Sequence, residues 1–104
     1  MNLNEPNKLV EIIDYQKDAV VSKTLIMKEK GTVTIFAFDK DQELSEHTAS
    51  FDALVQIIDG KADVLLDGKS SILKVGDIIV MPADIPHALK AIDKFKMLLV
   101  MIKE

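Results

Sequence analysis

Residues 59–77 read DGKADVLLDGKSSILKVGD, and they hold three of the four glycines of the chain, spaced eight residues apart at Gly60, Gly68 and Gly76. Both Asp-Gly dipeptides accept positive φ at low cost, so they predict tight turns on either side of residues 61–66. The side chains between the turns share no repeated pattern, which favours hairpins over a true internal repeat. This stretch therefore predicts short antiparallel strands.

Further candidate strands lie on both sides of this stretch. In residues 32–38, Val33, Ile35 and Ala37 alternate with threonines and phenylalanines, which is typical of a strand with two different faces. We predict eight or nine strands, at residues 20–27, 32–38, 44–49, 53–58, 61–66, 72–75, 78–81, 87–91 and 95–102. Only residues 9–15 carry a helical pattern, long enough for a turn or two. Many short strands without a long helix predict an all-β sandwich or barrel, since closure removes exposed strand edges.

Length and composition indicate one globular domain. The chain has 104 residues, of which 48% are hydrophobic and 29% charged, and its apolar run at residues 97–102 is too short to span a bilayer. Residues 1–10 are polar and lack the apolar stretch of a secretory signal, so we expect a cytoplasmic location. The absence of cysteine agrees with that location and excludes disulfides, thiolate nucleophiles and Cys-based zinc sites.

Charge and motifs narrow the class of partner. The net charge is −4 and the lysines are scattered, which argues against nucleic acid as a partner. No phosphate-binding loop, dinucleotide fingerprint, H-E-x-x-H zinc helix or G-x-S-x-G elbow is present. We therefore expect a small molecule and a second copy of the chain as partners.

The chain contains two histidines, His47 and His87. Each lies in or at the start of a predicted strand, and strands that are distant in sequence can be neighbours in an antiparallel barrel. Side chains alternate between the two faces of a strand. If both rings point inward, they share one cavity.

At these residues the chain resembles the cupin superfamily, over residues 32–104. The first cupin motif corresponds to His47 through Gly60, and the second to Gly76, Pro82 and His87, with the family's spacing kept in both. The resemblance implies a single-domain, cupin-type jelly roll, a double-stranded antiparallel β-barrel. It also implies that residues 1–30 form an N-terminal arm and lead-in strand, and that residues 31–104 form the conserved barrel.

The chain departs from the family pattern at four positions. Ala49, Ala53 and Ala91 stand where the family has its second histidine, its glutamate and its asparagine. Asp84 replaces a glycine, which is a smaller change because Asp also tolerates unusual turn geometry. Half of the metal shell that the resemblance implies is therefore missing.

The remaining donors predict at most a weakly held divalent transition metal such as Fe, Mn, Ni or Zn, because two neutral imidazoles seldom suffice. Asp52 is the nearest candidate for a third donor, although strand alternation points it outward unless a bulge reorients it. Three interpretations of His47 and His87 stay open. They bind a metal jointly, they act as hydrogen-bonding or acid/base groups without a metal, or they are structural residues bonded to backbone or water.

Two alanines in place of larger polar groups predict a roomy, weakly polar cavity. We expect its ligand-binding lining to include His47, Ala49, Ala53, Val55, His87 and Leu89. Strand alternation adds Ser45 and Ala91 to this lining. The alternative is that the cavity collapses around Met81, Met97 or Met101, because methionine adapts to irregular gaps.

Residues 20–27 and 95–102 carry apolar side chains on both strand faces in places. Strands that are apolar on both faces need a second surface to cover them, so we predict a homodimer through sheet packing, with a contribution from the N-terminal arm.

Three functions stay open. The chain is a binding module for a small molecule, a cupin enzyme of the oxygenase, isomerase or acid/base type, or a structural or regulatory dimer with a filled barrel.

Overall fold

A computed structural model describes residues 2–104 of the chain. In this part there are nine strands in two antiparallel sheets and one turn of 3₁₀ helix at Leu9–Glu11. The strands are β1 (Val20–Lys28), β2 (Gly31–Phe38), β3 (Glu43–His47), β4 (Asp52–Asp59), β5 (Lys61–Leu66), β6 (Lys69–Lys74), β7 (Ile78–Met81), β8 (His87–Ala91) and β9 (Phe95–Ile102). One sheet has the order β1-β2-β9-β4-β7 and the other β3-β8-β5-β6. The prediction of an all-β jelly-roll barrel is confirmed.

The Asp-Gly turns have the backbone geometry that their composition predicts. Asp67 and Gly68 form a two-residue loop with φ of 49° and 80°, and Leu66 pairs with Lys69 across it. Positive φ at both central residues matches the twist of antiparallel strands. Gly60 has φ of 74°, and a Cβ atom at this position would overlap the carbonyl oxygen of Lys94. Glycine is therefore required at position 60 by space as well as by φ.

Two predicted boundaries are wrong by three residues or more, while the other strand ends differ by one or two residues at most. Strand β6 begins at Lys69 rather than at residue 72, because the tight turn places the polar residues 69–71 directly opposite β5, where backbone pairing holds them. The helical segment is only Leu9–Glu11 instead of residues 9–15. A single turn has too few hydrogen bonds to extend without tertiary support.

The main core lies between the two sheets. Phe38 and Phe95, from neighbouring strands, stack with ring centroids 4.5 Å apart, and both are fully buried. Val55, Ile57 and Val64 are fully buried in the same cluster. Each such side chain stabilises the fold by about 1.5–3 kcal/mol relative to an exposed position.

The N-terminal arm, residues 2–19, packs against the outer face of the five-stranded sheet. Ile13 is buried there in a second cluster with Ile35 and Ala37. The Lys96 ammonium donates a hydrogen bond to the Val10 carbonyl at 2.6 Å, and Lys23 donates to the Ile12 carbonyl at 3.0 Å. The arm is therefore held on the sheet by lysine hydrogen bonds to its backbone carbonyls and by the packing of its apolar side chains.

A row of aliphatic side chains crosses the rest of this outer face. In register across β1, β2, β9, β4 and β7 lie Ile26, Val33, Val100, Leu54 and Val80. Ile26 and Val80, at the two ends of the row, are about half exposed, at 52% and 51%. No helix among residues 2–104 is long and apolar enough to cross a membrane.

Candidate functional site

The two histidines lie side by side in the four-stranded sheet. His47, at the end of β3, pairs directly with His87, at the start of β8, and their ring centroids are 4.4 Å apart in an edge-to-face arrangement. Pro86 favours an extended chain and immediately precedes β8. Asp84, at the glycine position of the motif, has φ of 65° and donates its backbone N–H to the Ala49 carbonyl at 2.8 Å. The turn therefore joins the two segments that carry the rings.

A backbone carbonyl orients each imidazole. Nδ1 of His47 lies 2.8 Å from the Ser45 carbonyl oxygen, and Nδ1 of His87 lies 3.0 Å from the Ile85 carbonyl oxygen. A carbonyl only accepts, so Nδ1 carries the hydrogen, and in the neutral ring Nε2 keeps its lone pair. Both rings therefore offer a free Nε2 acceptor.

The two rings differ in exposure. His87 is only 6% exposed, whereas His47 is solvent-exposed. Both line the same cavity between the sheets. The cavity lining therefore contains one buried ring and one ring that is in contact with solvent.

This cavity has a volume of about 60 Å³. Its lining residues are Leu44, His47, Ala49, Ala53, Met81, His87, Leu89, Met97, Leu99 and Met101. Five of the six residues predicted to form the site are thus brought together. The sixth, Val55, is fully buried in the adjoining core and does not line the cavity. Ala91, which strand alternation also predicted in the lining, is buried in the same core.

The β3 side of the lining differs from the prediction. Strand alternation places Ser45 on the same face as His47, but the register shifts between Leu44 and His47, so Leu44 lines the cavity and Ser45 lies outside. A bulge changes which side chains face inward, and no residue in this segment signals one. Leu44 and Leu99 are the lining residues that sequence reasoning missed.

Asp52 does not join the rings. Its carboxylate accepts a hydrogen bond from the Ala83 backbone N–H at 2.8 Å, and it is absent from the cavity lining. Among residues 2–104, no three His, Asp or Glu side chains are grouped closely enough to hold a metal ion. Manganese favours carboxylate or water oxygens, non-haem Fe(II) sites add a carboxylate to two histidines, and zinc sites use at least three protein ligands. The donors present therefore do not fit a tightly held divalent metal.

Comparisons with known proteins agree on the fold. A family model described as "Cupin domain" matches residues 34–103. A search of the curated proteins returned no match.

Several solved structures are similar to this chain. A conserved protein of unknown function from Streptococcus pyogenes is 36% identical, with a TM-score of 0.95 over 100% of this chain and 91% of that one. A cupin superfamily protein from Desulfitobacterium hafniense is 25% identical, with a TM-score of 0.94 over 100% and 95%. A Cupin 2 conserved barrel domain protein from Leptotrichia buccalis is 43% identical, with a TM-score of 0.88, over 91% of this chain and 46% of that one.

Proposed function

The chain belongs to the cupin domain family, and from this premise we propose that it binds one small ligand in its barrel cavity through the imidazoles of His47 and His87. The observation that carries the proposal is the shared orientation of the two rings. Each Nδ1 is bound to a backbone carbonyl, which leaves each Nε2 with a lone pair for a ligand. A ligand for two such acceptors is a hydrogen-bond donor or a metal ion.

Cavity size supports a ligand of few atoms. Pockets for drug-sized molecules have volumes of about 300–1,000 Å³, whereas this cavity measures about 60 Å³. It holds only a few water molecules, since one water needs about 10–15 Å³ of such a cavity. The cavity is narrowed by three methionines, Met81, Met97 and Met101, which is the arrangement expected if methionine fills the space that the alanines leave. A larger organic ligand would have to displace these side chains.

The donor set favours binding over metal-dependent catalysis. Cupin domains often bind metals. A metal-dependent oxygenase or isomerase, however, needs an ion that is held by about three protein ligands and has one position open for the substrate. Two imidazoles and an apolar lining provide fewer donors. We therefore propose weak, exchangeable binding of Fe, Mn, Ni or Zn in place of a resident catalytic ion.

The test uses Zn²⁺ as the ligand and ¹⁵N spectra of the histidine rings as the readout. Because the chain has only two histidines, every ring signal belongs to His47 or His87. We expect both rings to be Nδ1–H tautomers and both Nε2 signals to shift together as Zn²⁺ is added. His47→Ala and His87→Ala should each weaken Zn²⁺ binding by about tenfold or more.

Asp52→Asn is the matched control. It keeps the shape of the side chain but removes the carboxylate, and because Asp52 lies outside the lining it should leave Zn²⁺ affinity unchanged. A protein in which Zn²⁺ shifts neither ring, or only the exposed ring of His47, would contradict a shared site.

We also propose that the chain is a homodimer. The aliphatic row on the outer face of the five-stranded sheet supports this, because apolar surface left open beside a covered region typically marks an interface. The row carries no charge that would select a different partner, and a second copy offers the same surface about a two-fold axis. A cytoplasmic location stays a prediction, favoured by the absence of cysteine.

A further inference from the structure

The cavity beside the histidine pair is rich in methionine. The chain has five methionines, and three of them, Met81, Met97 and Met101, line this one cavity. Met81 and Met97 are almost completely buried, at 3% and 1% exposure. The other lining side chains besides the two histidines are leucine and alanine. Every side-chain heteroatom of the lining is therefore an imidazole nitrogen or a thioether sulfur.

The two kinds of donor lie on opposite walls. His47 and His87 belong to the four-stranded sheet, whereas Met81 on β7 and Met97 and Met101 on β9 belong to the five-stranded sheet. An ion between the two sheets would meet nitrogen donors from one wall and sulfur donors from the other.

Ala53 separates two of the thioether residues. It pairs with Met81 across β4 and β7, and with Met101 across β4 and β9, so the three residues form one row on the inner face. The small alanine leaves space between the longer side chains of its neighbours. The cavity volume of about 60 Å³ lies well below the range of about 300–1,000 Å³ that is typical of pockets for drug-sized molecules.

Donor softness selects the ion. Thioether sulfur favours Cu(I), imidazole nitrogen also binds copper, and oxygen donors for Mg²⁺, Ca²⁺ or Mn²⁺ are missing from the lining. A monovalent ion also has a smaller desolvation cost in an apolar cavity than a divalent one. Resting on the ligand-binding role of the pair, we propose that the cavity is a Cu(I) site formed by His47, His87 and at least one thioether of Met81, Met97 and Met101.

The experiment measures Cu(I) binding by the 104-residue chain without oxygen, in competition with a chromophoric Cu(I) chelator. We expect one Cu(I) per chain and both nitrogen and sulfur neighbours in the copper X-ray absorption spectrum. The triple variant Met81→Leu, Met97→Leu and Met101→Leu removes every thioether from the lining while keeping its volume and apolar character. It should lower the ratio of Cu(I) to Zn²⁺ affinity by about tenfold or more, the scale of a lost metal-site interaction.

Met27→Leu is the matched control, because Met27 lies on β1, is 72% exposed and is absent from the cavity lining. It should leave both affinities unchanged, and circular dichroism should show that all variants are folded. Cu(I) bound without sulfur neighbours, or no Cu(I) bound while Zn²⁺ still shifts both rings, would overturn the copper assignment alone. If His47→Ala and His87→Ala change neither Cu(I) nor Zn²⁺ binding, the ligand-binding role of the pair is wrong as well.

Discussion

At the scale of single residues, each imidazole of the pair is oriented by the carbonyl two positions earlier in its own segment, Ser45 for His47 and Ile85 for His87. Because the acceptors are backbone atoms, the tautomer does not depend on the side chain at position 45 or 85. The side chains that line the cavity then determine which other donor atoms lie near the free Nε2 atoms. Alanine at positions 49 and 53 leaves no polar donor there, and the other heteroatoms of the lining are the thioether sulfurs of Met81, Met97 and Met101.

Tyr15 provides a residue-scale test of how the arm is held. Its hydroxyl donates to Asp59 Oδ2 at 2.5 Å, and Lys94 and Lys96 place their ammonium groups 4.9 and 5.0 Å from the ring centroid. Burial raises the pKa of Tyr15, and the hydrogen bond to Asp59 and the charge of that carboxylate raise it further.

The sign of the pH dependence follows from the raised pKa. The unfolded chain loses the Tyr15 proton near pH 10, while the folded chain keeps it. The stabilising contribution of Tyr15 is therefore complete below about pH 10 and is lost as the pH rises above that value. Because the chain has one tyrosine and no tryptophan, near-ultraviolet absorbance of tyrosinate reports this group alone. We expect the folded protein to titrate above pH 10 and the denatured protein at the ordinary value.

Asp59→Asn should lower the pKa of Tyr15 toward that of a free tyrosine, because it removes the carboxylate charge while keeping a hydrogen-bonding oxygen. Tyr15→Phe should remove the tyrosinate signal and flatten the decrease in stability above pH 10. An ordinary tyrosine pKa in the folded protein would contradict the buried arrangement.

At the scale of elements, the N-terminal arm acts as a cover for part of the five-stranded sheet. It has a single turn of 3₁₀ helix, so packing holds it in place far more than its own hydrogen bonds do. Ile13 provides the buried contact, and Lys23 and Lys96 satisfy two of its backbone carbonyls. The arm is therefore part of the fold and also limits how much apolar surface remains outside.

Replacing the buried contact should destabilise the whole domain. Ile13→Ala removes a side chain that is only 6% exposed, and we expect a cost of about 2–5 kcal/mol in the free energy of unfolding. Val10→Ala is the control in the same arm, because Val10 is 40% exposed. It should cost less than about 0.5 kcal/mol. Urea denaturation of both variants measures the difference, and equal costs would show that the arm is not packed through Ile13.

At the scale of the whole molecule, the two sheets present different outer faces. The five-stranded sheet is covered by the arm on one part and carries the aliphatic row on the other. The four-stranded sheet has a more polar outer face, with Glu43, Asp63 and Lys90 around a shallow depression. This asymmetry is the reason why the proposed dimer uses the five-stranded sheet.

A lysine introduced on the outer face of each sheet tests which of the two sheets forms the dimer interface. Val80 on β7 and Ile72 on β6 are equally exposed, at 51% each, but they belong to different sheets. Val80→Lys should convert the dimer to a monomer in sedimentation equilibrium, because it introduces a desolvated charge into the interface. Ile72→Lys should leave the dimer intact. A wild-type monomer, or a dimer that tolerates Val80→Lys and dissociates with Ile72→Lys, would contradict this interface.

The fold could be predicted because its signals are local. Turn positions depend on residues such as Asp67 and Gly68 that accept positive φ, and strand faces depend on alternation. The sequence alone therefore predicted eight or nine strands, the barrel, and two histidines that share a cavity. Asp84 also has the positive φ that its place in the motif predicts.

Tertiary structure alone decided what surrounds the histidines. The register shift in β3 brings Leu44 inward and turns Ser45 outward, and packing between the sheets places Met81, Met97 and Met101 opposite the rings. Neither feature is local, because a register depends on the partner strand and a cavity depends on how both sheets fill the space between them. The sequence determined which donors exist in this protein, and only the packing of two sheets determined which of them meet.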